Sequence, residues 1–332
     1  EAILDFNGSG MGVMEISHRS KDFEAVLAKT KSLVKELLNV PDTHEVLFVQ
    51  GGASTQFAMV PMNLLKTKAA YLDQGAWSNK AIKEAKLMGE VVVVGSSKDK
   101  NYSYMPKGYS IPSDCDYFHI TSNETIHGTQ IKDFPASPIP VVCDMSSDIF
   151  SRPVDVSKFD LIYAGAQKNM GPSGVTLVII KKDIVGKHGK TIPTMMDYKT
   201  HLENDSLYNT PPVFSILVCM YTLEWLKSIG GVPAMKKIND EKAALFYGEV
   251  DSNPMFVGTS SQEDRSPMNA CFLLKDESMD EAFMNAAKAA GIVGIKGHRS
   301  VGGFRASMYN ALPLESVKVL VNVMKEFALK TA

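Results

Sequence analysis

Lys168 is the residue best placed for covalent chemistry. In Ala164-Gly165-Ala166-Gln167-Lys168-Asn169, an apolar segment delivers a lysine into a turn of small residues, and Gly171-Pro172-Ser173-Gly174 follows. An amine buried there, near other cationic groups, loses protons more readily and becomes a nucleophile able to form a Schiff base. The competing reading is a loop lysine that extends to water. Asp144 closes the very apolar run Pro140–Cys143, at the end of a candidate strand where open α/β sheets present ligand-binding groups. It is either a cap for the next turn or a buried anion that needs a cation, such as a protonated pyridine nitrogen.

Three further groupings fit an anionic, planar ligand. Val49-Gln50-Gly51-Gly52-Ala53-Ser54-Thr55-Gln56 reads as strand, glycine turn and helix start. Free N–H groups at such a terminus suit a phosphate, although a glycine turn with Ser54 as an ordinary N-cap has the same pattern. Trp77 stands next to a helix start near Ser78 and is suited either to stacking on a flat ring or to the core. The basic clusters Ser17-His18-Arg19-Ser20 and Gly297-His298-Arg299-Ser300, with Arg305 close behind the second, offer guanidinium and imidazole donors for two anionic groups on one ligand. Gly8-Ser9-Gly10-Met11-Gly12 departs from the dinucleotide glycine spacing and has no strand before it, and the seven histidines show no metal-ligand spacing, so no metal is expected.

These residues need a scaffold, and the composition supplies one. The chain has 332 residues, 45% of them hydrophobic, enough for about two domains and a cleft between them. With 35 Lys+Arg against 37 Asp+Glu, no global basic field directs it to nucleic acid or an anionic membrane. Any anion must be held by a local cluster. Four widely spaced cysteines (115, 143, 219 and 271) read as reduced thiols of a cytoplasmic protein, and no apolar run has the length of a membrane span.

Short strand-like runs at 45–49, 90–94, 116–121, 140–143, 161–164 and 175–180 alternate with helical patterns at 21–38, 55–65, 78–88 and 213–227. That alternation predicts an α/β fold, a mostly parallel sheet sandwiched by helices. Gly230-Gly231 punctuates the chain, which divides into a large domain, 1–230, and a smaller C-terminal α+β domain, 231–332. In the smaller unit the pattern predicts strands at 270–274 and 303–308 and helices at 279–290 and 314–329. Residues 1–6 read as the last turn of a helix closing at Asn7-Gly8.

Taken together, the segments around His18-Arg19, Gln50–Phe57, Asn123–Gly128, Cys143–Ser147, Ala164–Asn169, Tyr208–Pro212 and Lys296–Gly303 resemble the phosphoserine aminotransferase group of the class V, fold-type I, pyridoxal 5′-phosphate-dependent family. The resemblance runs over nearly the whole chain. It implies transamination between 3-phosphohydroxypyruvate and glutamate, in serine biosynthesis. Lys168 becomes the Schiff-base lysine, Asp144 the partner of the pyridine nitrogen and Trp77 the stacking aromatic. Thr125 would bond the phenolic oxygen, and Ala53, Ser54 and Gln167 would hold the cofactor phosphate. Asn209 and Thr210 would join them from a neighbouring subunit, making a homodimer with shared sites. His18, Arg19, His298 and Arg299 would bind the substrate phosphate or the side-chain carboxylate of glutamate, and Arg305 the α-carboxylate.

The family's phenylalanine-rich N-terminal stretch has no counterpart here, so Glu1 is expected to begin inside the helix that follows it, with an expected loss of turnover. The rivals are another enzyme of the same fold, such as an alanine–glyoxylate aminotransferase or a cysteine desulfurase, and a phosphate-ligand protein that lost the chemistry. No cysteine stands in an obvious mobile loop, as a desulfurase needs.

Overall fold

The computed structural model describes residues 1–331. In the first part of the chain, helices α1 (Lys21–Leu38), α2 (Gly52–Leu64) and α3 (Ala76–Lys86) alternate with strands β1 (His44–Val49), β2 (Lys68–Asp73) and β3 (Glu90–Ser96). Six strands follow: β4 (Phe118–Thr121), β5 (Asn123–Glu124), β6 (Thr129–Gln130), β7 (Val141–Asp144), β8 (Leu161–Gly165) and β9 (Thr176–Lys181). Helices α4 (Tyr198–Glu203), α5 (Val213–Ser228) and α6 (Gly231–Ser252) lead to β10 (Phe256–Gly258), β11 (Asn269–Leu274), α7 (Asp280–Ala289), β12 (Phe304–Ser307) and α8 (Leu314–Thr331).

Seven strands form the main sheet in the order β1-β9-β8-β7-β4-β2-β3. Strands β3, β2, β4, β7 and β8 run parallel, and β9 lies antiparallel between β8 and β1. The chain therefore leaves β1, β2, β4, β7 and β8 at one common edge, bringing Gln50, Gln74, Ser122, Met145 and Ala166 to the same side. One face is covered by α1 and α5, the other by α2 and α3, with a separate apolar core on each. Strands β7 and β8 are buried throughout, which is why they read as continuous apolar runs instead of alternating ones.

Three features differ from the sequence expectations. Strand β2 was not expected, because Lys68-Ala69-Ala70-Tyr71-Leu72-Asp73 contains no β-branched residue; its pairing with β3 and β4 creates it. Helix α6 was also not expected: Gly231 and Pro233 at its start resemble a break, yet Pro is compatible with a first helical turn. Residues 1–5 form hydrogen-bonded turns, with Leu4 and Asp5 N–H donating to Glu1 O at 2.8 and 3.0 Å, and no helix is assigned there.

The second unit is an antiparallel sheet, β10-β11-β12, covered by α6, α7 and α8 around a phenylalanine-rich core. Helix α6 straddles both units: Val232 and Met235 pack in the large core, Phe246, Tyr247 and Val250 in the small one. The seam between them is polar and hydrogen-bonded, with Asn239 Oδ1 left buried without a partner. Asn310 N–H donates to Asn169 Oδ1 at 3.0 Å, Asn310 Nδ2 donates to Phe150 O at 3.0 Å, and Asn310 Oδ1 accepts from Asn239 Nδ2 at 2.9 Å. Asn169 is the neighbour of Lys168, so this network ties the reactive turn to the second unit. Asn310→Ala removes two buried bonds and is expected to lower stability by about 1–3 kcal/mol. Urea unfolding checks it, and an unchanged midpoint would contradict the role given to this network.

Candidate active site

The site is assembled from chain ends at the common sheet edge. Lys168 stands in the turn after β8, half-buried, where Met170 and Gly171 N–H both donate to Ala166 O at 3.1 and 2.9 Å. Burial pulls its pKa below the ordinary lysine value; Asp144 and Glu124 act in the opposite direction, and Arg305 adds to the fall. Asp144 ends β7 and is buried, its Oδ1 accepting from Ser146 N–H at 2.9 Å. It caps the next turn and its carboxylate is also buried. Burial raises its pKa, while the Ser146 bonds and Lys168 lower it. Lys168 acts on Asp144 and Glu124 through space, and among the described residues no ion pair joins it to either.

Trp77 lies within the first turn of α3, which begins at Ala76, two residues before the expected start. Its indole Nε1 donates to Thr125 Oγ1 at 2.8 Å, and Lys168 Nζ lies 5.6 Å from its ring centre. Lys80 Nζ is 4.2 Å from the same centre, so the ring already has cationic company, as its π face favours. Arg305, on β12, donates from Nη1 to Thr125 O at 3.1 Å, and its Nε is buried without a partner. An orphaned guanidinium donor is suited to an anion.

A cleft of about 600 Å³ between the two units is lined by Tyr102, His127, Thr259, Cys271, His298 and Arg305. His127 packs on Tyr102 with ring centres 5.0 Å apart; burial and then His298 lower its pKa. His298 is held by Ser300, Nδ1 and Oγ being 2.7 Å apart.

At the other end of the site, α2 begins without a side-chain cap. Its N-cap is Gly51, in the left-handed region at φ 89°, and a Cβ there would lie 1.9 Å from Thr55 Oγ1. Glycine is required, and Ser54 is not the cap. It lies inside the first turn with an exposed side chain, near Ala53. Helix α2 packs against both α3 and β8, Phe57 meeting Tyr163 edge-on at 6.3 Å, and its open terminus follows β1 at the sheet edge where β8 releases the Lys168 turn. Gln167 is exposed on that turn.

The single chain therefore gathers Lys168, Asp144, Trp77, Thr125 and Arg305, with His298 at the cleft. Of these, Arg305 and His298 line the cleft itself; Lys168, Asp144, Trp77 and Thr125 are outside its lining, as are His18, Arg19, Asn209, Thr210 and Arg299. Arg19 and Arg299 are exposed, His18 Nε2 is buried without a partner, and Thr210 O accepts from Gln50 Nε2 at 2.9 Å. Glu124, Tyr102 and His127 belong to the site and had no assigned role from sequence. Glu124 and His127 stood inside a recognised segment, but nothing local signalled their burial.

Residues 1–320 match the family described as Aminotransferase class-V. The chain belongs to the class-V aminotransferases. The phosphoserine aminotransferase of Flavobacterium johnsoniae is 61% identical over 98% of this chain and 92% of its own length. That of Bacillus circulans subsp. alkalophilus superposes with a TM-score of 0.97 at 46% identity, covering 99% of this chain and 93% of that one. The PLP-bound phosphoserine aminotransferase of Trichomonas vaginalis gives a TM-score of 0.93 at 39% identity, covering 97% and 93%.

The arrangement of this class-V chain fits pyridoxal phosphate on its own geometry. Asp144 is a buried carboxylate with no contacting cation, Lys168 is a half-buried amine whose pKa burial lowers, Lys168 Nζ lies 5.6 Å from the Trp77 ring centre, and α2 opens without a side-chain cap at the same edge of the sheet. One prediction follows from the coupling of Lys168 to Asp144. Without cofactor, an acylating reagent should modify Lys168 at lower pH than the exposed lysines. Asp144→Asn removes a charge that raises the Lys168 pKa, so the labelling midpoint, read by mass spectrometry, should fall further. A midpoint that rises or stays put contradicts the coupling.

Proposed function

We propose that the site at the common sheet edge carries out phosphoserine transamination with Lys168 as its covalent anchor and proton carrier. 3-Phosphohydroxypyruvate and glutamate give O-phospho-L-serine and 2-oxoglutarate. The observation that carries this reading is the meeting of Lys168, Asp144, Trp77 and Arg305 at one edge of the sheet, in a chain whose relatives bear that activity in their names.

Pyridoxal phosphate, when bound, supplies an electron sink for the pair left on the substrate α-carbon. The protein's residues do the rest. Lys168 holds the cofactor covalently and, once its amine is free, moves the proton at the substrate α-carbon; a depressed pKa leaves a larger share of that amine neutral and able to take it. Asp144 holds a positive charge at the ring nitrogen, a role supported by its burial without a contacting cation. Trp77 covers the ring face and Thr125 meets the phenolic oxygen. Ala53, Ser54 and Gln167 hold the phosphate at the open end of α2. Arg305 takes the α-carboxylate, and His298 and Arg299 the distal anion, Arg299 being exposed outside the cleft of its own chain.

The remaining charges come from a second copy. The family resemblance supports a homodimer in which Asn209 and Thr210 of the partner subunit close the phosphate site; within its own chain Thr210 O accepts from Gln50 Nε2 at 2.9 Å. The two basic residues His18 and Arg19 complete a substrate site in that dimer. Among the described residues, all four cysteines are free and buried and no single helix is long and apolar enough to cross a membrane, which supports the cytoplasmic reading.

Three experiments test these assignments. The visible spectrum of the protein supplied with pyridoxal phosphate should change on adding O-phosphoserine and not serine; an equal response to serine would remove the phosphate recognition. Borohydride should trap a covalent adduct that Lys168→Ala abolishes. Mixing Lys168→Ala with Asn209→Ala chains should restore turnover that neither has alone, and no restoration would contradict the shared site.

A further inference from the structure

Glu124 has no task in the roles above, yet it is completely buried in the centre of the site. Its Oε2 accepts from Trp77 N–H and its Oε1 from Ile126 N–H, each at 3.1 Å. Trp77 is the second residue of α3, where an N-cap side chain normally accepts. The N-cap is Gly75, which has no side chain, so Glu124 supplies the acceptor from another element. Gly75 leaves the room: its φ is 148°, and a Cβ would lie 2.7 Å from Glu124 Cγ.

The next residue, Thr125, accepts from the same tryptophan at Nε1, 2.8 Å away. Glu124 and Thr125 thus grip Trp77 at both its backbone and its ring, while the Ile126 bond fixes the turn that aims Thr125. Arg305 holds Thr125 from the other side through its carbonyl, at 3.1 Å. A tryptophan held at two atoms has one ring plane.

We propose that Glu124 is a positioning residue whose ionised carboxylate sets the relative placement of the Trp77 ring and the Thr125 hydroxyl in the cofactor site. The inference rests on the transamination reading of this site. An ionised carboxylate accepts both N–H bonds; a protonated one turns an oxygen into a donor and loses its fit to one of them. The charged groups that face Glu124 are Lys168 from the turn after β8 and Asp144 from β7, with Arg305 from β12 beyond Thr125. Tyr102 and Cys271 also face it and stay neutral, since burial raises both, Cys271 to about 12. Burial raises the Glu124 carboxyl to about 7, with the two N–H bonds and Lys168 opposing and Asp144 adding to the rise. The clamp therefore loosens as pH falls through neutrality.

The test uses a Trp225→Phe background, which leaves Trp77 as the only indole. Without cofactor, Trp77 fluorescence should titrate with a midpoint near 7, and Glu124→Gln should abolish that transition. With cofactor, Glu124→Gln should lower kcat and pyridoxal phosphate affinity about tenfold each while KM for phosphoserine moves little, since a misaimed group costs rate more than substrate binding. A merely structural glutamate would lower the unfolding temperature and leave the Trp77 titration in place. If Glu124→Gln retains the parent transition, or retains parent kcat and cofactor affinity, the proposal falls. Should Glu124→Ala fail to fold, the near-isosteric Gln variant decides alone. Absence of phosphoserine turnover in the parent would overturn the transamination reading, and the cofactor-free fluorescence titration would still judge the clamp.

Discussion

A half-buried amine and two buried carboxylates, near one another without forming an ion pair, are the constraint on which the rest of this structure depends. Lys168, Asp144 and Glu124 each lose water, and each is shifted by burial before anything else. Charges in such a place are costly unless hydrogen-bonded or neutralised. The fold meets this with backbone N–H groups: Ser146 on Asp144, and Trp77 and Ile126 on Glu124. Backbone donors neutralise partially and leave charge available for a ligand.

Those donors stand where they do because of the sheet order. Strands β2, β4, β7 and β8 release the chain at one edge, so the start of α3, the Thr125 turn, Asp144 and Lys168 become neighbours although spread over some ninety positions of chain. The same edge receives the open end of α2. A positive helix terminus, an amine and a guanidinium then gather beside a chain whose overall charge is only −2.

The second unit completes the cleft instead of forming it. Arg305 and His298 come from beyond α6, and Arg305 reaches Thr125 across the seam. The Asn169–Asn310–Asn239 network ties that unit to the residue beside Lys168, so a movement of one unit reaches the reactive turn through a few buried hydrogen bonds.

Residue chemistry alone singled out Lys168, Asp144 and the Gly51-Gly52 turn, because each follows an apolar strand and such strands end in small or polar residues only where the backbone must turn, but it left two readings for each, and the resemblance supplied the roles. The strands 161–164 and 140–143 were visible for the same reason, being buried on both faces. Strand β2 was not, since its alanines carry no β signal and only its neighbours make it a strand. Nor was the burial of Glu124: a glutamate in a short polar segment looks like any solvated charge. Its surroundings come from Gly75, Trp77 and Asp144, distant in sequence. What the sequence by itself determined was the chemistry at the ends of strands, a matter of local pattern. Which of those ends meet, and which buried charge each must tolerate, was decided by strand order and domain packing, because electrostatics and desolvation act through space and not along the chain.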